Sequence, residues 1–181
     1  MSGALAGRRV LVSAGPTFED IDPVRFVGNR SSGKMGFAVA AAARAQGAQV
    51  VLVAGTVHLD TPDGVQRIDV RSAAQMHAAV LGALPADVYI AAAAVADFTP
   101  RQVSDHKIKK TAGSQTLVLE LVRTPDVLAD VAAHAARPAL VVGFAAETRD
   151  VEDNARAKLA SKRLDLIAAN LVGAAEGGFE R

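Results

Sequence analysis

The stretch Asp22 to Gly36 reads DPVRFVGNRSSGKMG and is dense in groups that bind anions. Arg25, Arg30 and Lys34 are spaced by Asn29, Ser31 and Ser32, and Gly28, Gly33 and Gly36 let a ligand approach the backbone. It follows the apolar run ending at Ala14 and leads into an alanine-rich helical pattern from Phe37. A polar connection from a strand to a helix N-terminus offers free N–H groups and the positive end of the helix dipole. The known phosphate motifs do not fit. Gly28 to Lys34 has the P-loop spacing G-x-x-x-x-G-K, but Met35 stands where Ser or Thr would hold magnesium. The first turn, Gly15-Pro16-Thr17, lacks the dinucleotide fingerprint.

Other groups are spaced for related chemistry. Ala91, Ala92 and Ala93 close an apolar run and leave room for a flat group on the backbone, with Asp97 following as an acceptor. On its own this run reads more simply as a close helix–sheet contact. Lys107, Lys109 and Lys110 could neutralise a polyphosphate or line a solvated basic hairpin. Lys158 and Lys162, four apart, share one helical face that is either exposed surface or aimed at phosphates. Phe144 ends an apolar run, as core or as a stacking partner. His58, His77, His106 and His134 show no metal-ligand spacing and read as surface residues. No Ser-His-Asp arrangement, paired-carboxylate motif or HExxH is visible. The inventory binds and polarises phosphates; it supplies no nucleophile.

Composition narrows the class. The 181 residues fit one domain, 9–181, after a flexible lead-in over 1–8. Hydrophobic residues make up 50% and aromatics only 4%, so the core must be built from Ala, Val, Leu and Ile. A net charge of +1 gives no broad field for nucleic acid or an acidic membrane surface. The absence of cysteine excludes disulfides and thiolate chemistry. No apolar run approaches the roughly 18 residues of a membrane span, and the expected location is the cytoplasm.

The elements that must position these groups alternate. Strands are expected at Arg9–Ala14, Gln49–Ala54, Val65–Val70, Val88–Ala93, Leu140–Phe144 and Asp165–Ala169. Helices are expected at Gly36–Ala45, from a Ser72/Gln75 capping box to about Leu84, from a Thr124 cap with Pro125 at the first position to about Ala136, and at Val151–Lys162. Gln115–Val122 alternates apolar and polar residues and reads as an inserted strand with one wet or partner face. The fold class is therefore α/β: a doubly wound, mostly parallel Rossmann-like sheet with an inserted alternating segment. Ligands of such sheets lie beyond the carboxyl ends of the strands, where the polar loops here gather.

The motifs together resemble a known family. SAGPT at Ser13–Thr17, the Asp22–Gly36 stretch, AAAVADF at Ala92–Phe98 and KIKK at Lys107–Lys110 carry the likeness. TPDVL at Thr124–Leu128, GFAAET at Gly143–Thr148 and the Lys158/Lys162 helix extend it over nearly the whole chain. The sequence is similar to phosphopantothenoylcysteine synthetase, the phosphopantothenate–cysteine ligase of bacterial CTP-dependent type, which forms the C-terminal half of a bifunctional coenzyme A biosynthesis protein. The resemblance implies a homodimeric enzyme that joins 4'-phosphopantothenate to L-cysteine through an acyl-cytidylate made from CTP. Magnesium would accompany the phosphates. The upstream half, a flavin-dependent decarboxylase, would hold the flavin, and none is expected here. By position, Ala91, Ala92, Ala93, Asp97, Pro125, Asp126, Val127, Leu128 and Phe144 would hold the nucleotide. Lys107, Lys158 and Lys162 would meet its phosphates. Asn29 and Arg25 would bind phosphopantothenate, and Lys107 and Asn29 would be the catalytic groups. Members of the family continue past the Gly-Gly-Phe found here at Gly177–Phe179, so the end at Arg181 reads as a truncation. An NAD(P)-dependent oxidoreductase on the same sheet would need the glycine fingerprint and a catalytic Tyr-x-x-x-Lys; Tyr89, the only tyrosine, lies inside a strand run. A non-catalytic nucleotide-binding regulator is the other alternative.

Overall fold

A computed structural model describes residues 3–110 and 115–172. The apolar run Arg9–Ala14 forms β1, and Phe18–Asp20 (β2) pairs antiparallel with Phe26–Gly28 (β3). Helix α1 (Lys34–Ala45) leads to β4 (Gln49–Ala54) and β5 (Gln66–Asp69). Helix α2 (Ala73–Gly82) crosses to β6 (Val88–Ala91). A short ladder of β7 (Phe98–Pro100) with β8 (Leu121–Arg123) precedes α3 (Val127–Ala133). Strand β9 (Leu140–Glu147), α4 (Val151–Ser161) and β10 (Leu166–Leu171) complete the order.

Six strands make one parallel sheet in the order β10-β9-β6-β1-β4-β5. This is a Rossmann-like α/β fold. The chain winds outward from β1 to β5, returns through α2, and winds the other way from β6, so β1 and β6 flank the topological switch point. The register pairs Val10 with Val50 and Val88, and Leu11 with Val51 and Tyr89, which sorts alternate residues to opposite faces. Val10, Val12, Val50 and Leu52 pack under Phe37, Ala40 and Ala43 of α1. Leu11, Val51, Tyr89 and Val141 pack under Met76 and Val80 of α2 and under Leu128 and Val131 of α3. The aromatic-poor composition thus becomes a core of short aliphatic side chains, and α1 can lie close on the sheet. A Cβ on Gly36 would sit 2.4 Å from the Cβ of Ala14.

Several expectations are corrected. Thr124 does not cap α3: its hydroxyl donates to the Ala96 carbonyl at 2.6 Å, while Asp126 Oδ1 accepts from Ala129 N at 3.0 Å. The helix starts after Asp126 and ends at Ala133, short of Ala136. The expected strand Gln115–Val122 shrinks to Leu121–Arg123, outside the main sheet. Residues 115–120 lie exposed and form no strand, though Arg101 N still donates to the Glu120 carbonyl at 2.9 Å. The β2–β3 hairpin was not expected. Its strands are too short for periodicity, but Phe18 and Phe26 stack at 4.1 Å and Arg71 lies over both rings while holding Asp20 at 2.6 Å. The Ser72/Gln75 capping box forms as expected. Residues 3–8 turn against α1's end, with Leu5 N bonded to Gln46 O at 3.0 Å. The proposed truncation at Arg181 falls outside the described residues.

Candidate functional site

A cavity of about 530 Å³ opens at the carboxyl ends of β6 and β9, walled by the start of α3 and one face of α4. Its floor is small: Ala91, Ala93 and Ala96 line it, with the buried Tyr89 and Ser13 beneath, their hydroxyls 3.0 Å apart. Burial pushes the Tyr89 phenol well above its ordinary range, so it stays neutral and serves as a fixed hydrogen-bonding plug. Asp97, Pro125, Asp126, Val127, Leu128, Phe144, Lys158 and Lys162 line the walls. The fold thus gathers at one place most of the residues whose roles the family resemblance implied.

The cations are already organised. Lys158 Nζ donates to the Phe144 carbonyl at 2.8 Å. Burial and the neighbouring Lys162 charge lower its pKa, against the opposing pull of Glu147, Asp126 and Asp97. Lys162 Nζ lies 2.8 Å from Asp126 Oδ2. Burial pushes the Asp126 carboxyl up, but the Lys162 and Ala129 hydrogen bonds, with the Lys158 charge, outweigh it and hold the group below the usual range. The α4 face that could have been exposed surface therefore points two ammonium groups into a concave site. Arg123 of β8 adds a third cation to the lining. Sequence reading missed it, though its place directly before Thr124-Pro125 was a usable signal. Phe98, also missed, lines the opening.

Four expected members do not line the cavity. Ala92 follows the pleat to the other face, where its Cβ is 3.4 Å from the position a Gly36 Cβ would take. Lys107 is exposed on the segment after β7 and does not line the cavity. Asn29 adjoins the site through Val95: its Nδ2 donates to the Val95 carbonyl at 3.0 Å, and Val95 is a lining residue. Arg25 is committed to Asp22, with its Nε 3.0 Å from Asp22 Oδ2, and its Nη2 donates to the Ile108 carbonyl at 2.7 Å. Chemically, the cavity offers a flat apolar floor with backbone groups, three cations and two carboxylates. That arrangement suits a base and its phosphates.

Among the described residues, no three His, Cys, Asp or Glu side chains gather to hold a metal ion. No helix is long and apolar enough to cross a membrane.

Residues 5–181 match the family model described as DNA/pantothenate metabolism flavoprotein C-terminal domain. The chain is 54% identical over 176 residues to the coenzyme A biosynthesis bifunctional protein CoaBC of Vibrio cholerae, covering 97% of this chain and 44% of that protein. It is 53% identical over 180 residues to the protein of the same name from Bacillus subtilis, covering 98% of this chain and 44% of the relative. The chain thus spans less than half the length of these curated relatives. A solved C-terminal domain of a CoaBC protein superposes with a TM-score of 0.81 at 45% identity, covering 93% of this chain and 80% of that one.

Proposed function

The chain belongs to the DNA/pantothenate metabolism flavoprotein C-terminal domain family, and on that footing we propose that it is the ligase unit of a coenzyme A biosynthesis protein, joining 4'-phosphopantothenate to L-cysteine at the expense of CTP. The observation that carries the reading is the cavity itself. An alanine floor sized for a flat base stands beside Lys158 and Lys162 at the end of the sheet where this fold binds nucleotides.

In the first step a substrate carboxylate oxygen attacks the α-phosphorus of CTP. The bond to the β-phosphate oxygen breaks, and its electron pair leaves on pyrophosphate. Lys158 and Lys162 hold the phosphates. Lys107, exposed on a segment that borders the Asp22–Arg25 turn, reaches the developing charge when the ligand is in place. In the second step the cysteine amine attacks the acyl carbon, the C–O bond to CMP breaks, and the amine loses a proton. The Asn29 amide donates to the acyl oxygen, where charge builds. Magnesium finds no cluster of three acidic or histidine ligands among the described residues; it arrives with the triphosphate, and no step is assigned to it. Fusion to a decarboxylase half, a cytoplasmic location and a homodimer complete the reading. The exposed Leu117, Val118 and Leu121 supply apolar surface for the dimer.

The test is pyrophosphate release with CTP, phosphopantothenate and magnesium, with and without cysteine, followed by mass spectrometry of the quenched reaction. Lys107→Gln suppresses pyrophosphate release even without cysteine. Asn29→Asp still forms acyl-cytidylate but turns it over roughly a hundredfold more slowly, so the intermediate accumulates. Pyrophosphate release at the normal rate by Lys107→Gln, or no acyl-cytidylate with Asn29→Asp, would reverse these assignments. A thermal shift from NADH but not from CTP would favour an oxidoreductase.

A further inference from the structure

We propose that Asp22 is a positioning residue: through Arg25 and the backbone of Ile108 it holds Lys107 in reach of the site that Asn29 borders. The Asp22 side chain is fully buried, which a carboxylate tolerates only when its lone pairs are filled. Here they are. Oδ1 accepts from Val24 N at 2.8 Å and Arg25 N at 2.9 Å. Oδ2 accepts from Arg25 Nε at 3.0 Å, from Arg25 Nη2, and from Ile108 N at 3.1 Å.

The last of these bonds reaches 86 residues along the chain. Both backbone groups of Ile108 are taken, the N–H by Asp22 and the carbonyl by Arg25 Nη2 at 2.7 Å. The two bonds hold the successive peptide groups on either side of Ile108, which restrains its backbone and so the path of the chain through Lys107 and Lys109. Ile108 is the one residue between 105 and 110 that is not exposed. A further bond, Ser104 N to Ile21 O at 3.0 Å, ties the start of the same segment to the same turn. That turn also joins β2 to β3, and β3 ends one residue before Asn29. One buried carboxylate thus sets the relative placement of Asn29 and Lys107, which come from distant parts of the sequence. Arg25 is accounted for as the arm of this clamp.

The catalytic consequence rests on the role of Lys107 given above, whereas the clamp itself does not, and the experiment separates them. In Asp22→Asn, hydrogen–deuterium exchange over residues 104–110 speeds up at least tenfold, while exchange in β1 and β4 stays as in the unsubstituted protein. Pyrophosphate release loses at least tenfold in kcat with KM for CTP within twofold. The Asp22→Asn/Lys107→Gln double variant is no slower than Lys107→Gln alone, because the first substitution acts through the second residue. If Asp22→Asn does not fold, Arg25→Lys keeps the charge beside Asp22, drops the bond to the Ile108 carbonyl, and shows the same local rise in exchange. Unchanged exchange at 104–110 in the folded variant overturns the clamp. Faster local exchange with unchanged kcat, or additive losses in the double variant, overturns the positioning role. An unsubstituted protein that releases no pyrophosphate overturns the ligase reading alone, and the exchange measurement still decides the clamp.

Discussion

Lys162 shows how much of a side chain's meaning lies in its partner. In the free protein it pairs with Asp126, which also caps α3 through Ala129 N. The pair is part-exposed, at 28% and 46% of the side chains, so it adds little to stability, about 0 to 1 kcal/mol. Its importance is to hold an ammonium at the cavity wall. On the proposed ligase reading, Lys162→Met would remove one charge-assisted bond to phosphate, worth roughly 1.5 to 3 kcal/mol. It also leaves the Asp126 carboxylate facing the incoming triphosphate. CTP affinity therefore falls by about tenfold to a hundredfold in titration calorimetry, while the melting temperature of the free protein barely moves. Equal affinity in the two proteins would mean that Lys162 does not meet the phosphates. Asp126→Asn gives the complementary case: Asn caps helices as well as Asp does, so the free protein keeps its stability to within about 0.5 kcal/mol. A larger loss in urea unfolding would show that the ion pair, not the cap, stabilises the start of α3.

At the scale of elements, what was legible in the sequence was whatever repeats or has a dedicated end signal. Strands β1 and β4 lie where their β-branched runs placed them, and Ser72 with Gln75 marked the start of α2. The six parallel strands followed from the alternation of runs. The β2–β3 hairpin was hidden, because three-residue strands have no period and are held by the Phe18–Phe26 stack within the hairpin and by Arg71, which reaches it from far along the sequence. The site was legible in part for the same reason. Lys158 and Lys162 were four apart on one helix, but Arg123 and Tyr89 enter the cavity only through tertiary placement. Gly36 makes a testable case where local preference and packing oppose each other. In the first turn of α1, Gly→Ala would ordinarily stabilise a helix by up to about 1 kcal/mol. Here the added Cβ lies 2.4 Å from Ala14 Cβ and 3.1 Å from Ala14 Cα, so α1 must lift from β1. Overpacking of this kind costs about 1 to 3 kcal/mol. Gly36→Ala therefore lowers the melting temperature, and a rise would show that α1 shifts without cost.

The whole molecule leans on aspartates at both ends of its sheet. At the amino end, Asp87 Oδ2 accepts from Arg9 N and Asp165 Oδ2 from Val141 N, each at 2.7 Å. In each case an aspartate just before one strand satisfies an N–H at the start of its neighbour, the first of β1 and the second of β9. Near the carboxyl end, Asp20 holds Arg71, and Asp22 is filled by Arg25 and backbone donors. The Arg9 N–H and Arg8 lower the Asp87 carboxyl, and the Val141 N–H and Arg137 lower that of Asp165, in both cases against burial. Arg71 lowers Asp20, and Arg25 lowers Asp22 furthest. Folded values below the unfolded value of about 3.9 mean that the unfolded chain binds protons first as pH falls. The stability these groups contribute is fully present at neutral pH, begins to fade near pH 5, and is lost as pH drops through the folded values below the ordinary carboxylate range. Urea unfolding followed by far-ultraviolet circular dichroism should give a midpoint that is level from pH 7 to about 5.5 and falls steadily toward pH 3. Asp87→Asn keeps an acceptor for Arg9 N but cannot titrate. Its midpoint is lower at pH 7 and converges on that of the unsubstituted protein as pH falls. A midpoint that stays level to pH 3, or an Asp87→Asn curve that runs parallel to the unsubstituted one, would show that these carboxylates do not govern acid stability.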